Sequence, residues 1–189
     1  GLLAEKVANH LGLDASVARR GAILHDIGKA SSVFQQTLKK NFQRPPGFVF
    51  RHELASLFFI SLLNEDEKHP IVDMIVAHHK SVYHDAGEKG LLDLVENDPD
   101  CFKQHIKDFN SWSNDALAIL KHFGFETKSI SEEQAKENFF EVVVYCESKS
   151  YGYSQWKGVL IAADHLASAM SGYVKPLESK LFVVPDLSY

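Results

Sequence analysis

The chain has 189 residues, of which 45% are hydrophobic and 24% are charged, and its formal net charge is −5. This length and composition exclude an intrinsically disordered segment and predict a single folded domain with a hydrophobic core. The negative net charge argues against a protein that binds nucleic acid through overall positive charge. Two cysteines are too few for a disulfide framework or a zinc cluster. No secretory signal is visible and the apolar runs are too short to cross a bilayer, so a cytoplasmic location is expected.

Hydrophobic periodicity predicts helices along almost the whole chain, so the predicted fold class is all-α. Asp14 and Ser131 suit helix N-terminal caps, and Pro70 suits a first helical turn. The stretch 142–145, three valines and a tyrosine, is also compatible with a short strand. The polar stretch 81–131 is expected to contain two or three short helices. The other predicted helices cover about 3–12, 14–28, 31–38, 52–63, 70–78, 131–146 and 154–171.

Histidine and acidic residues form four short groups, which are His25 with Asp26, His52 with Glu53, His78 with His79, and Asp164. Several lie in otherwise apolar helical patterns, where an uncompensated imidazole or carboxylate is costly to bury. Both groups are ligands of divalent transition metals, so one shared metal centre would compensate them all. Lys29, almost one turn after Asp26, could neutralise a carboxylate or hold a substrate phosphate. Ordinary structural or surface roles are expected for His69, His84, His105, His122 and His165.

The segment between Asp26 and Glu53 contains no acidic residue, although the whole chain is acidic. Basic and aromatic residues alternate along it, a combination that suits single-stranded nucleic acid because charge follows the backbone and rings stack on bases. The other interpretation is a solvated surface whose phenylalanines belong to the core. Proximity to Lys29 and His52 favours substrate entry, and the predicted nucleic-acid contacts are Lys39, Lys40, Arg44 and Arg51.

The order of these motifs resembles the HD nuclease domain of the CRISPR-associated nuclease–helicase of type I systems, in the HD-domain metal-dependent phosphohydrolase superfamily. The resemblance rests on Leu-His-Asp-Ile-Gly-Lys at 24–29, on His52 and Glu53 before an apolar helix, on Ala-His-His at 77–79 and on Ala-Asp-His-Leu-Ala-Ser at 163–168. It implies a helical bundle, over about 1–175, around a centre of two divalent transition-metal ions. Iron, manganese, nickel and cobalt are all compatible with such ligands.

The resemblance also implies a role for each ligand. Asp26 would bridge the two ions, His25 and Asp164 would hold one, and His52, His78 and His79 would hold the other. The family has a further histidine on its first helix. Because His10 lies near the end of its helix and close to His25, the equivalent histidine is expected upstream of Gly1.

By resemblance, the chain is a metal-dependent deoxyribonuclease, an endonuclease or an exonuclease, that hydrolyses single-stranded DNA in type I CRISPR interference, a form of antiviral defence. Asp26 and Lys29 would be its catalytic residues. The implied partners are single-stranded DNA, a helicase domain or subunit and the CRISPR RNA-guided surveillance complex, and no membrane. Residues 176–189 are expected to form an extended tail that could lead to a helicase domain.

Two alternatives remain open from the sequence. The first is an HD-type phosphohydrolase of nucleotides or cyclic nucleotides. A cyclic-dinucleotide phosphodiesterase of this superfamily would carry Gly-Tyr-Pro after its histidine pair, where this chain has Lys-Ser-Val-Tyr at 80–83. The second is an HD module that has lost its activity and only binds other proteins. The six residues suited to metal binding argue against that module; they are His25, Asp26, His52, His78, His79 and Asp164.

Overall fold

The computed structural model describes residues 1–76, 91, 92, 95, 99–149 and 154–171. Within them the regular structure consists of nine α-helices and two 3-10 helices, with no strand, so the all-α prediction is confirmed. The 3-10 helices are Ile27–Ala30 and Leu57–Leu62. The α-helices are α1 Leu2–His10, α2 Ala15–Leu24, α3 Ser32–Thr37, α4 His52–Ser56, α5 Glu65–Val76, α6 Pro99–Ile106, α7 Phe109–His122, α8 Glu132–Ser148 and α9 Gln155–Ser171.

Side-chain caps begin several of these helices where the sequence predicts them. The carboxylate of Asp14 accepts hydrogen bonds from the amides of Ser16, at 2.8 Å, and Val17, at 3.1 Å. The hydroxyl of Ser131 accepts one from the amide of Gln134 at 3.1 Å. These bonds satisfy amides that have no partner inside the first helical turn.

The helix predicted over 131–146 is confirmed against the strand alternative at 142–145, and the helix start predicted at Pro70 is wrong. Residues 142–145 belong to α8, with Val142 and Val143 buried and Val144 63% exposed, which is a helical and not a strand-like pattern. Helix α5 begins at Glu65, before Pro70. Its first turn is acidic, and the positive end of the helix dipole favours acidic residues there.

Two groups of buried side chains hold the bundle together. The larger one is aromatic at its centre, where Phe58 contacts Phe109, Trp112 and Phe139. The smaller one consists mainly of alanines from α1, α2 and α9, which let these helices pack closely; its members are Ala4, Ala8, Ala18, Val159 and Ala163. This packing places Asp164, the next residue of α9, near the C-terminal end of α2.

No helix among the described residues is long and apolar enough to span a membrane. The predicted tail at 176–189 lies outside the described residues, as do His78, His79 and His84.

Candidate metal centre

His25 and Asp26 lie in a turn between α2 and the first 3-10 helix. The sequence places them inside a helix, and the structure corrects this, because α2 ends at Leu24 with His25 as its C-cap. Asp26 then precedes the 3-10 helix Ile27–Ala30. The turn directs both side chains toward a common point, with Asp26 Oδ1 3.3 Å from His25 Nε2.

The imidazole of His25 is buried, with 5% of its surface exposed. Its Nδ1 lies 2.8 Å from the carbonyl oxygen of Ala22, to which it can donate a hydrogen bond. Burial lowers the pKa of His25, and the carboxylates of Asp26 and Asp164 offset this only in part. A neutral ring that carries its proton on Nδ1 keeps its lone pair on Nε2, the arrangement that a metal-binding histidine has.

His52 approaches the same carboxylate from the other side. It is the first residue of α4, and its Nε2 lies 3.2 Å from Asp26 Oδ1. The ring of Phe34 packs edge-on against its imidazole, with centroids 5.5 Å apart. The Nδ1 of His52 lies 3.8 Å from Oε2 of Glu53. The histidines from two separate segments therefore point their Nε2 atoms at a single oxygen.

The hydroxyl of Ser56 joins the backbones of these two segments. It accepts a hydrogen bond from the amide of Gly28 at 2.8 Å. It lies 2.8 Å from the carbonyl oxygen of His25 and 3.0 Å from that of His52, so it can donate to either. Ser56 is fully buried. Sequence analysis missed this serine because nothing in its local pattern distinguishes it from any other helical serine.

Asp26 carries the negative charge of the cluster. The Nζ of Lys29 lies 2.7 Å from Asp26 Oδ1. Burial by itself raises the pKa of Asp26, but the imidazoles of His52 and His25 and the ammonium of Lys29 outweigh it and hold this pKa far below its usual range. The carboxylate is therefore ionised at neutral pH, as a metal ligand must be.

Asp164 lines the same cavity as His25 and Asp26. This cavity has a volume of about 550 Å³, and Arg19 and Phe123 also line it. A neighbouring cavity of about 410 Å³ is lined by Asp26, Lys29 and Phe123. The structure thus brings together four of the six predicted ligands, His25, Asp26, His52 and Asp164, while His78 and His79 lie outside the described residues. Neither Arg19 nor Phe123 was predicted: Phe123 lies far from the motifs in sequence, and Arg19, although in the helix that ends before His25, belongs to none of the motifs.

The predicted nucleic-acid contacts are not all on one surface. Lys39, Lys40 and Arg44 are exposed. Arg51 is only 9% exposed, and its Nε donates a hydrogen bond to Glu53 Oε1 at 2.6 Å. Burial raises the pKa of Glu53, but the guanidinium of Arg51 lowers it below the usual range. Arg51 is therefore part of the interior next to His52, and is poorly placed to contact a DNA backbone.

The donor atoms fit a divalent metal. Atoms that bind one such ion at about 2.0–2.2 Å lie about 3 Å from each other, and both Nε2 atoms lie near this distance from Asp26 Oδ1. The ammonium of Lys29 supplies a positive charge beside the same oxygen of Asp26. Among the described residues no group of three or more histidine, cysteine or acidic side chains meets the distances of a formed metal site. The described donors are thus an incomplete set of the predicted ligands.

Comparison with known proteins gives one result. The chain matches the model of the family described as Cas3, HD domain, over residues 3–171. Neither the curated proteins nor the solved structures contain a significant match. HD domains of this family are metal-dependent nucleases of CRISPR systems, where they act with a helicase and the CRISPR complex. The family match covers nearly all of the chain and includes every ligand group described above, so the chain belongs to the family of HD domains of the Cas3 nuclease–helicase.

Proposed function

We propose that this chain hydrolyses phosphodiester bonds of single-stranded DNA during type I CRISPR interference, using two divalent transition-metal ions. The observation that carries the proposal is the approach of His25 Nε2 and His52 Nε2 to Asp26 Oδ1, at 3.3 and 3.2 Å. An oxygen shared by two nitrogen ligands from different segments suits a carboxylate that bridges two ions.

In this proposal Asp26 bridges the ions, and Asp164 joins His25 at one of them. His52, His78 and His79 hold the other. Bound divalent ions would polarise a phosphoryl oxygen and lower the pKa of water, which is the chemistry that phosphodiester hydrolysis needs. Iron, manganese, nickel and cobalt all accept such a mixed imidazole and carboxylate set.

Besides the ligands, the chain contributes a positive charge for the substrate phosphate and contacts that hold the site residues in place. Lys29 is 42% exposed and reaches Asp26 from the open side of the cluster, so its ammonium can contact a phosphate that enters there. The side-chain amide of Gln35 donates to the backbone carbonyl of Lys29 at 2.7 Å, which fixes the backbone from which the Lys29 side chain extends. His25, held by the Ala22 carbonyl, keeps its Nε2 directed at the reacting region.

The surroundings of the cluster favour a polymer over a small ligand. Phe123 is 50% exposed and lines both cavities beside Asp26, where a nucleobase could stack on its ring. Arg19 adds a partly exposed guanidinium to the larger cavity. Lys39, Lys40 and Arg44 would contact the DNA backbone farther along, and Arg51 is left out of this group because it is buried.

Hydrolysis of nucleotides or cyclic nucleotides is the second candidate function. A cavity of about 550 Å³ is within the size range of small-molecule sites, so it would also accept a single nucleotide.

In either case we place the protein in the cytoplasm. For the nuclease we propose a helicase domain or subunit and the RNA-guided surveillance complex as its partners.

An assay with metal-loaded protein tests the proposal. The substrates are single-stranded DNA, duplex DNA, a panel of nucleoside triphosphates and a cyclic dinucleotide, each with manganese, iron, nickel or cobalt. The expected result is cleavage of single-stranded DNA that is lost in Asp26→Ala. Turnover of nucleotides without cleavage of DNA would favour the second candidate, and no hydrolysis with any metal would favour a module that only binds proteins.

A further inference from the structure

His105 is a buried histidine outside the predicted ligand set. It lies on α6 and is 1% exposed. Its Nε2 is 2.9 Å from the backbone amide nitrogen of Arg51, which donates a hydrogen bond to it. Since Nε2 is the acceptor, a neutral His105 carries its ring proton on Nδ1.

This bond belongs to a set of contacts that fix the segment immediately before His52. The amide of Val49 donates to the side-chain oxygen of Gln104 at 3.2 Å. The ring of Phe50 stacks on His105, with centroids 4.9 Å apart and planes inclined by 15°. Three consecutive residues are therefore held by two consecutive residues of α6. The loop that precedes them, at 41–47, is mostly exposed.

Arg51 is the N-cap residue of α4 and has an extended backbone, with φ −120° and ψ 111°. Its side chain makes no capping hydrogen bond, because it is directed to Glu53 instead. The amide hydrogen bond to His105 therefore fixes the backbone at the point where α4 begins. His52 is the next residue, so a displacement of Arg51 would move its imidazole relative to Asp26.

We propose that His105 is a positioning residue for His52: by accepting the Arg51 amide proton, it fixes the start of α4 so that His52 Nε2 stays opposite Asp26 Oδ1. The inference rests on the proposed function for two assignments, the two-metal centre and His52 as one of its ligands. His105 itself touches neither the donor cluster nor the substrate in this proposal. Its effect reaches the metal only through the position of His52.

Three variants separate the hydrogen bond from the bulk of the ring. In His105→Gln the side-chain oxygen reaches about as far as Nε2 and still accepts a hydrogen bond. His105→Leu has similar bulk without an acceptor, and His105→Asn keeps an amide that is too short to reach. His69→Leu is the matched control, because His69 also stacks on an aromatic ring, that of Tyr145, with centroids 4.3 Å apart.

The measurement is a titration of the 189-residue chain with Mn²⁺, followed by calorimetry and by electron paramagnetic resonance, with circular dichroism to monitor folding. We expect His105→Leu and His105→Asn to weaken one of the two Mn²⁺ affinities by about tenfold, the lower end of the effect of losing an orienting partner of a metal ligand. His105→Gln and His69→Leu should retain both affinities. If His105→Leu does not fold, His105→Asn takes its place in the comparison.

His52→Ala, titrated in parallel, tests the assignment of His52 as a ligand separately from the positioning role of His105. If His52→Ala keeps both Mn²⁺ affinities, His52 is not a ligand and both assignments are wrong. If His52→Ala loses one affinity while the folded Leu and Asn variants keep both, the positioning role alone is overturned. Equal weakening by Gln, Leu and Asn would also overturn it, because the acceptor at Nε2 would then be irrelevant.

Discussion

The backbone of Gly28 packs directly against the carbonyl oxygen of His52, so closely that a Cβ atom at residue 28 would overlap that oxygen. The amide of Gly28 also donates to Ser56, whose hydroxyl lies next to the same carbonyl. Only a residue without a side chain permits this approach. The contact therefore sets the distance between the two segments that carry the histidines.

Gly28→Ala should destabilise the fold and separate the two segments. We expect the free energy of unfolding to fall by about 3 kcal/mol, because a backbone carbonyl cannot move aside as a side-chain end can. Urea denaturation measures this change. Gly158→Ala is the matched control: a Cβ there meets nothing within 4 Å, and alanine in helix α9 should raise stability by up to about 1 kcal/mol. Equal stability of the two variants would contradict the close packing at Gly28.

Asp26→Ala should abolish nuclease activity and lower the metal content for both ions. The reason is that Asp26 is the only proposed ligand shared by the two sites, so its loss is not confined to one of them. Elemental analysis of the purified protein, together with cleavage of single-stranded DNA, measures both effects. Asp115→Ala removes an exposed carboxylate of α7 and should change neither. Near-normal cleavage by folded Asp26→Ala would eliminate the two-metal mechanism.

Lys29→Ala should lower the cleavage rate more than the affinity for DNA. Its ammonium lies 2.7 Å from Asp26 Oδ1, at the proposed reacting centre, while the contacts along the strand lie elsewhere. Metal should still bind, because lysine is not a ligand of these ions and its removal takes away a competing cation. Rates at saturating DNA and dissociation constants separate the two effects. A large loss of affinity at an unchanged rate would make Lys29 a simple binding residue.

Neutralising Lys39, Lys40 and Arg44 together should weaken binding of single-stranded DNA and flatten its salt dependence. Each lost phosphate contact should reduce the slope of log affinity against log salt by about 0.7. A salt series of binding measurements gives the slope, and the metal content should stay unchanged. The charge-matched control replaces Lys6 on α1, Lys128 in the segment before α8 and Lys136 on α8. The same slope in both triple variants would mean that the strand enters by another route.

Arg51→Met should destabilise the fold by about 3 kcal/mol at neutral pH, because it leaves the buried carboxylate of Glu53 without its partner. In the unaltered chain the pKa of Glu53 is lowered by Arg51, so the pair stabilises the fold above the unfolded-state pKa and this stabilisation is lost as the pH falls. In the variant Arg51 no longer offsets the burial of Glu53, so this pKa rises and the penalty shrinks in acid.

The difference in unfolding free energy between the two proteins should therefore be larger at pH 7 than near pH 4, where carboxylates begin to take up protons. The terminal nitrogens of Arg51 have no hydrogen-bond partner among the described residues, so the pair is incompletely satisfied. The double variant that combines Arg51→Met with Glu53→Leu replaces both charges by apolar side chains and should regain most of the lost stability. A pH-independent difference would show that Glu53 does not change its charge in this range.

The sequence predicts the helices and part of the site because both depend on local patterns. Periodicity identifies α1, α2 and α9, and the capping residues Asp14 and Ser131 act where expected. The motifs single out His25, Asp26, His52 and Asp164. The turn at His25 is not predicted, because the helical periodicity continues through Ile27 while α2 ends at Leu24.

Other features depend on contacts between distant parts of the chain, which no local pattern contains. Arg51 resembles an exposed basic residue until its burial and its backbone contact with His105 of α6 are known. Ser56 and His105 owe their places to segments on the other side of the site. In all three cases a polar group is buried, and burial is decided by the whole fold.

The hydrogen bonds of Ser56 do not depend on a bound metal. The buried Ser56 hydroxyl accepts from the Gly28 amide and donates its one proton to the carbonyl of His25 or of His52, and these uncharged bonds between the two segments need no cation to form. The two halves of the centre are thus preorganised, unlike zinc-finger ligands, which come together only when metal drives folding. An incoming ion meets two segments whose backbones are already joined, so less of its binding free energy is spent on ordering the chain. Exchange of one divalent ion for another is then a local event that leaves the surrounding helices in place.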